Sequence, residues 1–159
     1  MHSIYLAHPI SGLSAQAILD YYDNMLVILS KAYNVLSPMA GKSFLRNDVA
    51  LRAHGYENPV ATNRAIVGRD RWMVRQADVV LIDLRLAAVA SIGCVMELAW
   101  AFAEGKHTIV VMGPDNVHQH AFVIECADII FDDLDKAVAY LLELEGYNPK
   151  TGLPKESEI

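Results

Sequence analysis

Glu97 is the residue of this sequence whose chemical type and surroundings first point to chemistry. It lies in the stretch SIGCVMELAWAFAEGK, residues 91–106, directly between Met96 and Leu98. A helix with this pattern is expected to bury its apolar side there, and burying an unpaired carboxylate costs several kcal/mol. The carboxylate of Glu97 is therefore either turned to water or retained for a purpose such as contact with a ligand.

The elements that must position this carboxylate form an alternating pattern of strands and helices. Short β-rich runs occur at SIYLAHP, NVLSPM, ADVVLIDL, HTIVVM and ADIIF, and segments with helical spacing of apolar residues separate most of them. Parallel strands need crossover connections, which are nearly always right-handed helices. The pattern predicts an α/β fold, namely a doubly wound five-stranded parallel sheet with helices on both faces, flavodoxin-like or Rossmann-like.

We expect a single domain over residues 1–146, with a loose C-terminal tail over residues 147–159 that shows no packing pattern. The closing helical segment ends at Gly146, and Thr62 is a suitable cap for a helix running to Gln76. The stretch 40–59, rich in Gly, Asn and charged residues, predicts a mobile surface loop.

Ligands of doubly wound sheets bind beyond the carboxyl ends of the strands, where the strand order reverses. This rule directs attention to the loops 7–14, 84–93 and 112–120. Ser91 is a plausible N-cap, so Glu97 falls in the early turns of the next helix, near that edge. A solvated carboxylate favoured by the helix dipole is the alternative interpretation, and the residues alone do not decide between the two.

Composition excludes several classes of partner. The net charge of −6 argues against binding of a nucleic-acid backbone, which normally needs a basic surface. The sequence lacks both an uninterrupted apolar run of membrane-spanning length and a signal-peptide pattern, so we expect a cytoplasmic protein without a membrane partner. Six of the seven arginines lie between Arg46 and Arg75. This local positive charge is compatible with a small anionic ligand.

The histidines and cysteines do not form a convincing metal site. His118 and His120 form a His-x-His pair without a further partner at a typical spacing, and Cys94 and Cys126 lie inside apolar runs as reduced core residues. We expect neither a metal nor a cofactor.

Three segments together resemble the nucleoside 2-deoxyribosyltransferase family, including its branch of (deoxy)nucleoside 5′-monophosphate N-glycosidases. These segments are IYLAHPISG, GRDRWMVRQADVVLIDL and SIGCVMELAWAFAEGK, and their order and spacing cover the chain from Ile4 to about Asp128. The resemblance implies that Glu97 is the nucleophile attacking the anomeric carbon of a sugar. It further implies that Tyr5 holds this carboxylate through its hydroxyl and that Asp70 assists the departing base.

The chemistry implied by the resemblance fits these residue types. Cleavage of an N-glycosidic bond passes through an oxocarbenium-like state that a carboxylate can trap as a sugar ester, while a second acid protonates the base. Without the resemblance, Asp70 would be interpreted as an ion-pair partner of Arg64, Arg69 or Arg71 on an exposed helix. Tyr5 alone would be an ordinary strand aromatic.

The choice between a 5′-monophosphate and a free nucleoside as the substrate depends on Ser91. Family members that act on free nucleosides often carry an aspartate at this position, whereas a serine there is found in the 5′-monophosphate branch and avoids repelling a phosphate. A serine that merely caps its helix explains the residue equally well. The first loop departs from that branch's Gly-Ser-Ile-Arg, since it has His8, Pro9, Ile10 and Ser11, so that only Ser11 can supply the phosphate-binding hydroxyl. Further candidates for substrate contacts are His8, Gly12, Gly93 and His120.

The resemblance also implies a homodimer or higher homo-oligomer with shared active sites. Asn116, His118, His120 or Asp128 would complete the pocket of a neighbouring protomer. The stripe Met96, Trp100, Phe102 and Ala103 is expected to form core and dimer contacts rather than a cofactor site. Four functions stay open: a hydrolase of (2′-deoxy)nucleoside 5′-monophosphates, a transferase acting on unphosphorylated nucleosides, a non-catalytic nucleotide-binding module, and a glycohydrolase that cleaves NAD.

Overall fold

The computed structural model describes residues 1–47 and 51–155, in which strands and helices alternate along the chain. In chain order the elements are β1 (Ser3–Ala7), α1 (Ala15–Leu29), β2 (Asn34–Leu36), a 3₁₀ helix (Ser43–Asn47), α2 (Asn63–Gln76), β3 (Val79–Asp83), α3 (Ile92–Ala103), β4 (His107–Val111), α4 (Ala121–Glu125), β5 (Ile129–Phe131) and α5 (Leu134–Leu144). No helix within these described ranges is long and apolar enough to cross a membrane.

The five strands form one parallel sheet in the order β2-β1-β3-β4-β5. In the register of the central pair, Tyr5 of β1 lies beside Val80 of β3. The predicted doubly wound α/β fold is therefore confirmed. The strand order reverses between β1 and β3, so a ligand site is expected at their carboxyl ends.

Alternation along the strands assigns side chains to two layers, because successive residues of a strand point to opposite faces. Ile4 and Leu6 pack in the layer that includes residues of α1 and α5. Tyr5 and Ala7 pack in the layer that includes residues of α2 and α3. Tyr5 is consequently directed toward the layer that contains the helix carrying Glu97.

The helix starts follow the predicted capping residues. The hydroxyl of Thr62 accepts a hydrogen bond from the Ala65 N–H at the start of α2, and that of Ser91 accepts one from the Cys94 N–H at the start of α3. Both hydroxyls accept hydrogen bonds from first-turn N–H groups, which lack a partner within the helix. Ser91 thus lies at the carboxyl edge of the sheet, as predicted.

The sequence predicts a mobile surface loop over residues 40–59, but part of this stretch is buried. Its described part contains the 3₁₀ helix, and Lys42, Leu45 and Leu51 are buried. Leu45 and Leu51 pack against the layer of α1 and α5, which fixes the loop to the core. Residues 48–50 lie outside the described residues.

The segment after α5 folds back on the domain as far as the structure describes it. Tyr147 is partly buried against the layer of α1 and α5 and forms a bridge with Pro154. The Lys155 N–H donates to the Gly146 carbonyl over 2.7 Å. The bridge and the Lys155 hydrogen bond join backbone groups, which leave no periodic pattern in the sequence. Residues 156–159 of the predicted tail lie outside the described residues.

Candidate active site

A cavity of about 350 Å³ opens at the carboxyl ends of β1 and β3. Its polar lining comes from the loops after β1 and β2, from α2 and from the start of α3. The polar residues that concern the predicted chemistry are His8, Ser11, Lys42, Asp70, Ser91 and Glu97. The strand order thus brings together residues that are distant in sequence, at the edge where such sheets bind ligands.

Glu97 is buried, with 8% of its surface exposed, and it faces this cavity from α3. The Tyr5 hydroxyl donates a hydrogen bond of 2.7 Å to its Oε1. Burial raises the pKa of Glu97 to about 8; the Tyr5 hydrogen bond opposes this shift, and the nearby charge of Asp70 adds to it. Glu97 is the sixth residue of α3 and lies beyond the first turn, so a solvated carboxylate held by the helix dipole does not describe it.

Asp70 faces the same cavity from α2 and is also buried. Its Oδ1 has no hydrogen-bond partner among the described residues. Arg69 is the arginine that comes nearest, with Nε 3.9 Å from Oδ1, but its guanidinium donates to the carbonyls of Pro38 and Ala40. Burial raises the pKa of Asp70, with Lys42 and then Arg69 acting in the opposite direction. The contact between Arg69 and Asp70 is therefore a long ion pair at a buried carboxylate, rather than the exposed ion pair considered as the alternative.

Ser91 lines the cavity at the start of α3, together with Gly93. Its Oγ accepts the Cys94 N–H over 3.4 Å, and its own N–H donates to His118 Nε2 over 2.7 Å. His118 Nδ1 lies 2.9 Å from the Asn116 side-chain oxygen. Both ring nitrogens of His118 are therefore engaged within the chain, and the histidine fixes the position of Ser91.

His8 lies at the wall of the cavity and is buried, with its ring centroid 4.0 Å from that of Tyr21. Its Nδ1 is 2.8 Å from the Pro9 carbonyl, and its Nε2 has no partner among the described residues. Burial lowers the pKa of His8, which favours a neutral ring. A neutral imidazole offers a ligand one hydrogen bond rather than a charge.

The remaining predicted residues lie around the cavity or away from it. Gly12 adopts a φ of +84° in the loop after β1, close to Ala88 but outside the lining. His120 caps α4 through Nδ1 and stacks on Phe122. Asp128 accepts the Thr108 N–H. Within one protomer, neither His120 nor Asp128 lines the cavity.

Sequence reasoning missed several lining residues, above all Lys42. It follows β2 within an irregular stretch, where no periodicity identifies a buried position. Tyr22 of α1 was also missed, although its apolar spacing on that helix pointed inward. Arg52 lies over the Tyr56 ring at 4.6 Å, and both line the cavity from the stretch expected to be a surface loop.

The sheet order and the cavity at its reversal point define a doubly wound α/β protein with a ligand site at the carboxyl edge. A family model described as nucleoside 2-deoxyribosyltransferase matches residues 4–149. The chain therefore belongs to the nucleoside 2-deoxyribosyltransferase family of glycosyl-transferring enzymes, which confirms the resemblance seen in its motifs. A comparison with curated proteins gives no match.

Solved structures of several proteins share this fold. The 2-deoxyribosyltransferase from Bacillus psychrosaccharolyticus is 16% identical, with a TM-score of 0.60 over 96% of this chain and 97% of that one. The 2-deoxyribosyltransferase from Leishmania mexicana is 20% identical, with a TM-score of 0.60 over 90% and 98%. The CMP N-glycosidase from Clostridium botulinum is 12% identical, with a TM-score of 0.54 over 87% and 96%.

Proposed function

We propose that this protein cleaves the N-glycosidic bond of a (2′-deoxy)nucleoside or its 5′-monophosphate, with the Glu97 carboxylate attacking the anomeric carbon of the sugar. The observation that carries this proposal is the buried hydrogen bond from Tyr5 to Glu97 at the wall of a cavity shared with Asp70. Two carboxyl groups facing one cavity provide the nucleophile and the acid that such a cleavage needs.

In the proposed first step, an oxygen of Glu97 forms a bond to the anomeric carbon as the bond to the base nitrogen breaks. The bonding electron pair leaves with the base, and the proton of the Asp70 carboxyl neutralises it. The raised pKa of Asp70 suits this role, because it favours the protonated acid. In the second step, water or another base attacks the same carbon, gives up a proton to the Asp70 carboxylate and releases the Glu97 carboxylate.

Ser91 favours a 5′-monophosphate as the substrate. Its side chain accepts the Cys94 N–H, so its own hydroxyl hydrogen stays available to a phosphate oxygen. Ile92 and Gly93 also line the cavity, and they belong to the first turn of α3, whose N–H groups lack intrahelical partners and can bind an anion. Ser11 supplies a second hydroxyl in the lining. The name of the Clostridium botulinum relative, a CMP N-glycosidase, supports a mononucleotide substrate.

A transferase acting on unphosphorylated nucleosides is the second candidate. Arg85, the arginine that follows β3, forms hydrogen bonds of 2.9 and 2.8 Å with the two Asp83 oxygens, so its guanidinium is occupied. In the loop after β1, Ser11 occupies the position of the arginine in the Gly-Ser-Ile-Arg of the 5′-monophosphate branch. The names of the two 2-deoxyribosyltransferase relatives support this candidate.

Incubation with a panel of nucleosides, their 5′-monophosphates and NAD, each with and without a second free base, tests these assignments by chromatography of the released base and of any new nucleoside. We expect base release by the wild type and its loss in Glu97→Gln and Glu97→Ala. Glu104→Gln, at the C-terminal end of the same helix, is the matched control and should retain activity. Near-normal turnover by either Glu97 variant would remove Glu97 from the nucleophile role.

The pattern of products separates the remaining functions. Formation of a new nucleoside identifies a transferase, and release of nicotinamide identifies a glycohydrolase acting on NAD. Binding of nucleotides without base release identifies a non-catalytic module.

A further inference from the structure

Lys42 is a buried cation in the lining of the cavity. Only 6% of its surface is exposed, and it shares the cavity with Asp70 and Glu97. Among the described residues, its ammonium group takes part in no ion pair. Moving an ammonium group out of water is unfavourable unless acceptors replace its hydration. A buried lysine at a cavity wall therefore indicates a ligand with hydrogen-bond acceptors.

The loop that carries Lys42 is held against α2, the helix that carries Asp70. Arg69 donates to the carbonyls of Pro38 and Ala40, which fixes the loop after β2 against α2. The turn that follows contains Gly41 at a φ of +73°, a conformation that glycine adopts without strain, and the Lys42 N–H donates to the Met39 carbonyl. The residue next to Asp70 in sequence thus holds the loop that carries Lys42.

The apolar and aromatic side chains that share the cavity lining with Lys42 are suited to a planar ring. The loop after β2 contributes Met39, and α2 contributes Ile66 and Val67, while Tyr56 adds an aromatic side chain. Apolar and aromatic walls with one fixed polar group are typical of sites for a flat heterocycle. Under the proposed function, α2 carries the acid that assists the departing base, so this is the base side of the cavity.

We propose that Lys42 is a specificity-determining residue that donates a hydrogen bond to an oxo group of the base, so that the enzyme prefers nucleosides or nucleotides of oxo-bases over their amino counterparts. This inference rests on the proposed function. An ammonium group has three donors and no acceptor, and it therefore matches a carbonyl oxygen but opposes an exocyclic amino group.

The contact strengthens during bond cleavage. As the bond between the anomeric carbon and the base nitrogen breaks, its electron pair moves into the ring and negative charge spreads to the oxo oxygen. The Lys42 ammonium stabilises that charge, while Asp70 delivers its proton to the base and Glu97 forms the bond to the sugar. An interaction that is stronger in the transition state than in the ground state raises kcat/KM.

Two matched pairs of substrates test this inference: the nucleosides and 5′-monophosphates of hypoxanthine and adenine, and those of uracil and cytosine. In each pair, one base has an oxo group where the other has an amino group. Base release is followed for the wild type and for Lys42→Met, which retains much of the side-chain length without the charge. Lys106→Met is the control, because Lys106 donates to the Arg75 carbonyl outside the cavity.

We expect the wild type and Lys106→Met to prefer the oxo member of a pair, and we expect Lys42→Met to reduce that preference roughly 10-fold to 100-fold, the effect of one lost charge-assisted hydrogen bond. The ratio within a pair isolates base recognition, because a change in the ionisation of Asp70 or Glu97 affects both members. Thermal unfolding of Lys42→Met verifies that it folds, since removing an unpaired buried charge is not expected to destabilise the protein.

Three results would overturn the inference. A wild type that prefers the amino member contradicts it, as does a preference that Lys42→Met leaves unchanged. In both cases base release still occurs, so the proposed function stands. Absence of base release from every substrate by the folded wild type would overturn the proposed function and this inference together.

Discussion

Tyr5→Phe is the substitution that most directly tests how the site controls Glu97. It removes only the hydroxyl that donates to Glu97 Oε1 over 2.7 Å, within a buried layer. A hydrogen bond to a charged group contributes about 1.5–3 kcal/mol. Since about 1.4 kcal/mol corresponds to one pH unit, its loss should raise the pKa of Glu97, already about 8, by roughly 1 to 2 pH units.

The sign of the expected pH dependence follows from this shift. A carboxyl group with a raised pKa is ionised only above that pKa, so the nucleophile is lost as pH falls. The acidic limb of the wild-type kcat/KM should therefore report the ionisation of Glu97, whose pKa is about 8. In Tyr5→Phe the acidic limb should move upward, which makes kcat/KM at neutral pH roughly 10-fold to 100-fold lower than in the wild type. The deficit should shrink as pH increases.

The assay is the initial rate of base release at low substrate concentration, measured by chromatography from about pH 5.5 to about pH 9.5. Tyr33→Phe is the matched control, because the Tyr33 hydroxyl donates over 2.8 Å to the Leu141 carbonyl in the other layer of the core. Both variants lose one buried hydroxyl, but only Tyr5→Phe should displace the acidic limb. An equal loss of rate by Tyr5→Phe at every pH would refute the proposed control of Glu97 ionisation.

Three further predictions concern the acid, the substrate and the assembly. Asp70→Asn should slow base release by roughly 100-fold or more, as expected for loss of a general acid, and an unchanged rate would limit Asp70 to a structural role. Wild-type kcat/KM should be higher for a 5′-monophosphate than for its nucleoside, and Ser91→Asp should reverse that order by at least roughly tenfold through repulsion of the phosphate; a wild type that prefers the nucleoside would reduce Ser91 to a helix cap. Light scattering at micromolar concentration should give at least a homodimer, since Met96 and Phe102 of α3 are exposed apolar residues, and a monomeric mass would contradict this.

The main elements of the fold could be predicted because their signals are local. The continuous apolar run of β3 identifies a strand covered on both faces, and all five of its residues are buried. Thr62 and Ser91 mark helix starts through side chains that cap the first turn. The 3₁₀ helix Ser43–Asn47 lacks such a signal, because it is fixed by burial of Leu45 against a layer of the core.

The residues of the site differ in how much the sequence discloses. Glu97 is conspicuous because a charged residue interrupts an apolar helix. Asp70 is not, because a carboxylate among arginines normally indicates a surface ion pair, and only the packing of α2 shows that it faces the cavity. The burial of Lys42 depends on a loop held by side chains distant in sequence, such as Arg69. Such contacts arise from tertiary structure and have no local pattern.

The proposed reaction needs opposite protonation states in the two carboxyl groups of one cavity. Burial raises the pKa of both Glu97 and Asp70, and the charge of Asp70 further raises that of Glu97, which favours retention of one proton by the two groups. The productive form holds that proton on Asp70. The Tyr5 hydroxyl donates to Glu97, whereas Asp70 Oδ1 receives no hydrogen bond among the described residues, and this asymmetry favours the productive form. Loss of the Tyr5 hydroxyl should therefore remove this preference, so that Glu97 ionises only at a higher pH and the acidic limb of kcat/KM moves upward.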